Sequence, residues 1–167
     1  EELRALADEG CRVSILPVER DGRLDPERFE AALTPTTRLA SVMWANNETG
    51  VIQPIAELAA RAAARGVPFH TDAVQALGKL PLALETLPVA YASFSAHKLG
   101  GPKGVGALYV RPGVEITPLH PETALRQAGA LFEGQSHHVR DFFANHFVAD
   151  GDLITGLPKK TREMDQP

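Results

Sequence analysis

Apolar positions along this chain switch repeatedly between helical and strand-like spacing. Leu3, Leu6 and Ala7 recur at helical spacing, and Gly10 follows where a helix C-cap would stand. Residues 11–18 alternate as a strand, with Cys11 in the core. Asp21-Gly22 marks a turn. Asp25-Pro26 has the form of an N-cap followed by a first-turn proline, which predicts a helix to about Leu33. Residues 37–44 are mostly apolar and predict a strand buried on both faces, with the polar loop Asn46-Asn47-Glu48-Thr49-Gly50 at its end. Pro54 opens a second helix over 55–65, which Gly66 stops. A short strand over 67–70 runs up to Asp72, and a helical turn over 73–77 follows. Two further strands, 89–95 and 105–110, flank the loop that holds Lys98.

Strands alternating with helices at these intervals predict βαβ units. The expected fold is α/β, a mostly parallel sheet flanked by helices. Ligands of such sheets gather beyond the carboxyl ends of the strands. Asn47, Asp72 and the Lys98 loop all fall at such ends, which points to one shared site. From about Pro118 the pattern weakens, although Leu153-Ile154-Thr155-Gly156 reads as a short strand. Residues 157–167 read as a frayed polar tail.

Composition narrows the classes. The length of 167 residues fits one domain, and 44% hydrophobic with 23% charged residues is a globular balance. Net charge is −4 with no basic block, which argues against nucleic-acid binding. No apolar run approaches the ~20 residues of a membrane span, and the acidic start Glu1-Glu2 is unlike a signal peptide. The single cysteine, Cys11, allows neither an internal disulfide nor a cysteine metal cluster, so a cytoplasmic setting is the default. His137, His138 and His146 lack the spacing of a metal set.

Two segments carry candidate chemistry: His70-Thr71-Asp72-Ala73-Val74-Gln75, and Ser93-Phe94-Ser95-Ala96-His97-Lys98-Leu99-Gly100-Gly101-Pro102-Lys103-Gly104. They offer an amine, a carboxylate and neutral hydrogen-bonding groups. Pyridoxal phosphate (PLP) needs that set, a lysine for the Schiff base and an acid to keep the pyridine nitrogen protonated. Each residue also has a plainer reading. Lys98 is either that amine or a surface lysine before a glycine turn. Asp72 either meets the cofactor or caps the turn after it. Asn47 is either a hydrogen-bond donor to a ligand or a turn residue. Gln75 lies on the same face as Asp72 if the turn is helical. His70 reads as structural, pointing away from Asp72 or buried.

On these residues the sequence resembles the class V aminotransferases, PLP enzymes of fold type I. Within them it is similar to the cysteine desulfurase and selenocysteine lyase group. The motifs are Ala45-Asn46-Asn47-Glu48-Thr49-Gly50, His70-Thr71-Asp72-Ala73-Val74-Gln75-Ala76-Leu77-Gly78-Lys79 and residues 93–110, in order and at family intervals. The resemblance covers residues 1–119, read as part of a PLP-binding large domain. It implies that Lys98 is the Schiff-base lysine and that Asp72 pairs with the pyridine nitrogen. It implies Gln75 and Asn47 at the ring hydroxyl or substrate carboxylate, and Ser95 and His97 at the phosphate. The implied reaction takes sulfur from L-cysteine, leaves alanine and loads a separate cysteine thiolate. The implied substrate is a small amino acid, cysteine or selenocysteine, and the intact family implies a homodimer.

The departures from that pattern are specific. Family members are more than twice this long. An N-terminal cofactor segment with a ring-stacking histidine, the persulfide cysteine and a substrate-binding arginine are not in the matching region, and Cys11 is misplaced for the persulfide role. Ala90 stands where an aspartate is usual. Residues 120–167 read as a divergent tail, with Phe132-Glu133-Gly134-Gln135-Ser136 in place of a glycine-rich loop. That tail is weakly similar to the end of the DJ-1/PfpI family, or is a frameshifted end. Competing readings are another class V aminotransferase or selenocysteine lyase, and a non-catalytic remnant or interaction module.

Overall fold

The computed structural model describes residues 7–8, 10–103 and 105–114, with the backbone of short strands at 124–126, 130–133 and 154–156. Leu3, Leu6, the three histidines at 137, 138 and 146, and the 157–167 tail lie outside the described residues. Strands are labelled β1 (Ala40–Met43), β2 (Phe69–Asp72), β3 (Tyr91–Ser95), β4 (Gly106–Val110), β5 (Ala124–Arg126), β6 (Ala130–Glu133) and β7 (Ile154–Gly156). The helices are α1 (Pro26–Ala32) and α2 (Ile55–Ala64), with short 3-10 turns further along the chain at Leu84–Thr86 and Ala96–Leu99. Among the described residues these strands form one sheet, in the order β1-β2-β3-β4-β6-β7-β5.

The helices begin and end where local chemistry dictates. Asp25 accepts a hydrogen bond from the Glu27 amide at 3.0 Å, and Pro26 occupies the first turn of α1. The Gly66 amide donates to Ala63 O at 3.0 Å and closes α2. On α2, Ile55, Leu58, Ala59 and Ala62 are buried, the i, i+3, i+4, i+7 stripe of a helix lying on a sheet. Beneath the helices, the Phe29 ring of α1 meets Phe69 of β2 edge to face, centroids 5.9 Å apart. Burying Phe69 alone contributes about 1.5–3 kcal/mol.

Strands β1, β2 and β3 run parallel, with Met43 opposite Asp72 and Asp72 opposite Ser93. The sheet then reverses, because β4 pairs antiparallel with β3. A parallel return needs about a dozen or more residues of crossover, and only residues 96–105 join β3 to β4. The parallel part thus carries the expected fold and β4 extends it as a hairpin.

Two expectations fail at the margin. Residues 11–18 form no strand; Cys11, Ile15 and Val18 are exposed, and only Leu16 packs on the core. Alternation describes two faces, but a strand also needs a neighbouring ladder, and none of the described strands supplies one here. Strand β1 is not buried on both faces either, since Ser41 and Met43 are exposed. It is an edge strand of the sheet, at the opposite end from β5.

Candidate functional site

Because β1, β2 and β3 are parallel and in register, their carboxyl ends share one edge. Asn47 follows β1, Asp72 ends β2, and Lys98 lies in the 3-10 turn after β3. The loops beyond β2 and β3 touch. Gly78 has φ +73°, and a Cβ there would stand 2.7 Å from Leu99 Cδ2. The left-handed backbone at Gly78 favours glycine, and the segment after Asp72 there packs against the Leu99 side chain of the Lys98 turn. Gly100, with φ +78°, ends that turn in the left-handed conformation.

Asn47 sits exposed on a hairpin loop. Its neighbour Asn46 does the structural work, accepting from the Glu48 and Thr49 amides at 2.9 and 3.0 Å. The plain turn role therefore falls to Asn46, and Asn47 is displayed. Asp72 is half-buried, and one carboxylate oxygen accepts from the Val74 amide at 3.0 Å. That is the capping role, but a carboxylate accepts at two oxygens and retains capacity for a second donor. Gln75 accepts from Lys79 Nζ at 2.9 Å, which directs its amide oxygen toward the lysine. Ser95 Oγ and His97 Nδ1 are 2.7 Å apart. If the hydroxyl donates to Nδ1, the other ring nitrogen carries a proton toward solvent, as anion binding requires. Lys98 and His97 are exposed. The groove of about 630 Å³ bordered by Glu19, Arg23, Asp25 and Glu57 contains none of these residues.

For His70 the structure overturns one alternative, that it points away from Asp72, and agrees with the structural role. Its side chain does not point away from Asp72, because residues two apart in a strand share a face, and both are half-buried while Phe69 and Thr71 are buried on the other. Its Nδ1 lies 2.7 Å from Ser41 Oγ on β1 and its Nε2 3.3 Å from Ser93 Oγ on β3. Burial pushes the imidazole pKa down, partly offset by the Asp72 carboxylate. The period-two spacing of His70 and Asp72 was the signal available in the sequence. For Ser41 and Ser93 no signal existed, since their placement depends on strand register.

A parallel α/β sheet with amine-, carboxylate- and amide-bearing loops along one edge is the architecture of the PLP-dependent fold-type I large domains. The chain belongs to the aminotransferase class-V family, which it matches over residues 3–138. It is 58% identical over 111 residues to the cysteine desulfurase IscS of Anaeromyxobacter dehalogenans (strain 2CP-C), covering 66% of this chain and 28% of that protein. It is 51% identical over 150 residues to a cysteine desulfurase of Sinorhizobium fredii (strain NBRC 101917 / NGR234), covering 90% of this chain and 35% of that one. Among solved structures it is similar to SspA in complex with cysteine, with TM-score 0.68, 37% identity, and coverage of 71% of this chain and 35% of that one. The chain thus spans about a third or less of these relatives. No helix among the described residues is long and apolar enough to cross a membrane.

Proposed function

We propose that this chain forms part of the PLP-binding domain of a cysteine desulfurase. The observation that carries this reading is the convergence of Asn47, Asp72 and Lys98 at the ends of three adjacent parallel strands. The residues present suit the cofactor's three chemical handles. Lys98 Nζ would hold the aldehyde carbon, with water as the leaving group. The Asp72 carboxylate would accept from the protonated pyridine nitrogen while the Val74 amide holds its Oδ1. Ser95 and His97 would donate to the phosphate, and Asn47 and Gln75 would reach the ring hydroxyl or the substrate carboxylate. PLP, when bound, supplies an electron sink for the substrate Cα. Once the substrate amine had displaced it, the Lys98 amine would take and return the proton at that carbon. The substrate of the whole protein is cysteine, the assembly a homodimer and the compartment the cytoplasm. Residues 1–119 are read as the cofactor-binding part and 120–167 as a divergent tail, whose strands β5 to β7 continue the same sheet.

The test is a borohydride trap. The chain is incubated with PLP, reduced, and the modified lysine is mapped by mass spectrometry beside Lys98→Ala. Labelling of Lys98 over Lys79, Lys103, Lys159 and Lys160 is expected. Scattered labelling, or equal labelling of the alanine variant, rejects the cofactor reading. Release of alanine from cysteine, measured with a complementing full-length relative, separates desulfuration from transamination.

A further inference from the structure

The functional reading leaves His70 unused, although its side chain makes two interstrand hydrogen bonds beside the site. Its two ring nitrogens point to opposite sides, so one imidazole can bond across two strand gaps at once; neighbouring strands lie about 4.8 Å apart. Nδ1 meets Ser41, its own register partner on β1. Nε2 reaches past its register partner Tyr91 to Ser93, the residue opposite Asp72. The Ser93 carbonyl in turn accepts from the Ala73 amide at 3.0 Å, directly after Asp72. A neutral imidazole has one donor and one acceptor nitrogen, and a serine hydroxyl serves either. Both bonds therefore form with no charge placed beside the Asp72 carboxylate.

We propose that His70 is a positioning residue: its bonds to Ser41 and Ser93 lock the three strands whose ends carry Asn47, Asp72 and Lys98. This inference rests on the reading of those residues as the PLP site. Thr71 provides the comparison, because its hydroxyl donates to Val42 O at 2.9 Å and joins the same strands β1 and β2 from the opposite, buried face. A merely structural crosslink would make the two equivalent.

The experiment compares His70→Phe, Ser41→Ala/Ser93→Ala and Thr71→Val in the full 167-residue chain. Three quantities are read: the PLP concentration for half-maximal capture at Lys98, exchange of the Val74 amide bonded to Asp72, and Tm. Removing these bonds is expected to raise the PLP concentration about tenfold and to speed Val74 exchange. The double serine variant should match His70→Phe, and adding His70→Phe to it should change nothing more. Thr71→Val should lower Tm at least as far yet leave PLP capture as in the wild type. Wild-type capture in His70→Phe overturns the inference, and so does an equal loss in Thr71→Val. If His70→Phe does not fold, the serine variants carry the same test. If the wild type captures no PLP at Lys98, the cofactor reading fails by itself. Val74 exchange then decides: faster exchange in His70→Phe but not in Thr71→Val upholds the lock, and unchanged exchange rejects it.

Discussion

The two faces of strands β1 to β3 are built on different rules. One face carries Ala40, Phe69, Thr71, Ala92 and Phe94, all buried, under α1 and α2. The other carries Ser41, Met43, His70, Asp72, Ser93 and Ser95, all half-buried or exposed. The first is held by apolar area and shape, the second by directed hydrogen bonds between strands. A two-residue period lets one strand serve both. Damage to the first face should thus cost stability, and damage to the second should cost ligand binding at nearly constant stability.

The largest expected effect is on the buried face. Phe69→Ala removes a ring that is 1% exposed and in edge contact with Phe29. The expected loss is about 3–5 kcal/mol, read by urea unfolding, and PLP capture should fall with the folded fraction. A loss under about 1 kcal/mol would mean that the helices do not depend on this contact.

Asp72→Asn should do the reverse. Asparagine keeps an oxygen to accept from Val74, so stability should stay within about 0.5 kcal/mol. Losing the charge removes a charge-assisted bond worth about 1.5–3 kcal/mol, and PLP capture at Lys98 should weaken about tenfold to a hundredfold. Unchanged capture would remove Asp72 from the cofactor site.

How far each face is legible in the sequence follows from the same contrast. The helix stripe of Ile55, Leu58, Ala59 and Ala62 and the Asp25-Pro26 cap are local patterns and are read directly. So are the strand ends that display Asn47, Asp72 and Lys98, because motif order and apolar runs fix them. The segment around Cys11 and Ile15 was not legible, since alternation cannot say whether a partner strand exists. The reversal at β4 was legible only by counting the short link after Ser95. The His70 bonds join residues 29 and 23 positions apart, so register alone creates them. The lesson is that local chemistry marks where a site's residues begin, whereas what holds them together is non-local.

A smaller effect concerns pH. The folded-state pKa of His70 lies below its ordinary value of about 6.5, because burial disfavours the imidazolium. The unfolded chain then binds the proton more readily. Stability is fully present above pH of about 6.5 and is lost as pH falls through the lowered folded value. Melting of the wild type at descending pH should show this loss, and His70→Phe should lack it. An identical slope in both proteins would place the titration elsewhere.

The smallest effect belongs to the outer surface of the covered face. Glu30 of α1 accepts from Arg61 at 2.7 Å and from Arg65 at 2.9 Å, both reaching from the α2 end of the structure. Arg61 also pairs with Glu57 at 2.9 Å, one turn back along α2. The Arg65 and Arg61 hydrogen bonds hold the Glu30 carboxyl below its ordinary pKa. Its contribution is therefore present above the ordinary carboxylate value and disappears as pH falls through the lowered one, a more acidic window than that of His70. The two effects also differ in their response to salt. Ion pairs at the surface are screened, whereas the cost of burying the His70 charge is a desolvation cost that added salt leaves largely in place. Glu30→Gln should lower Tm slightly at low ionic strength and hardly at all in high salt, while the His70 slope persists in both. A Glu30→Gln loss that ignores salt would mean that the carboxylate holds α1 by packing and not by charge. The outer layer would then obey the same rule as the buried face beneath it.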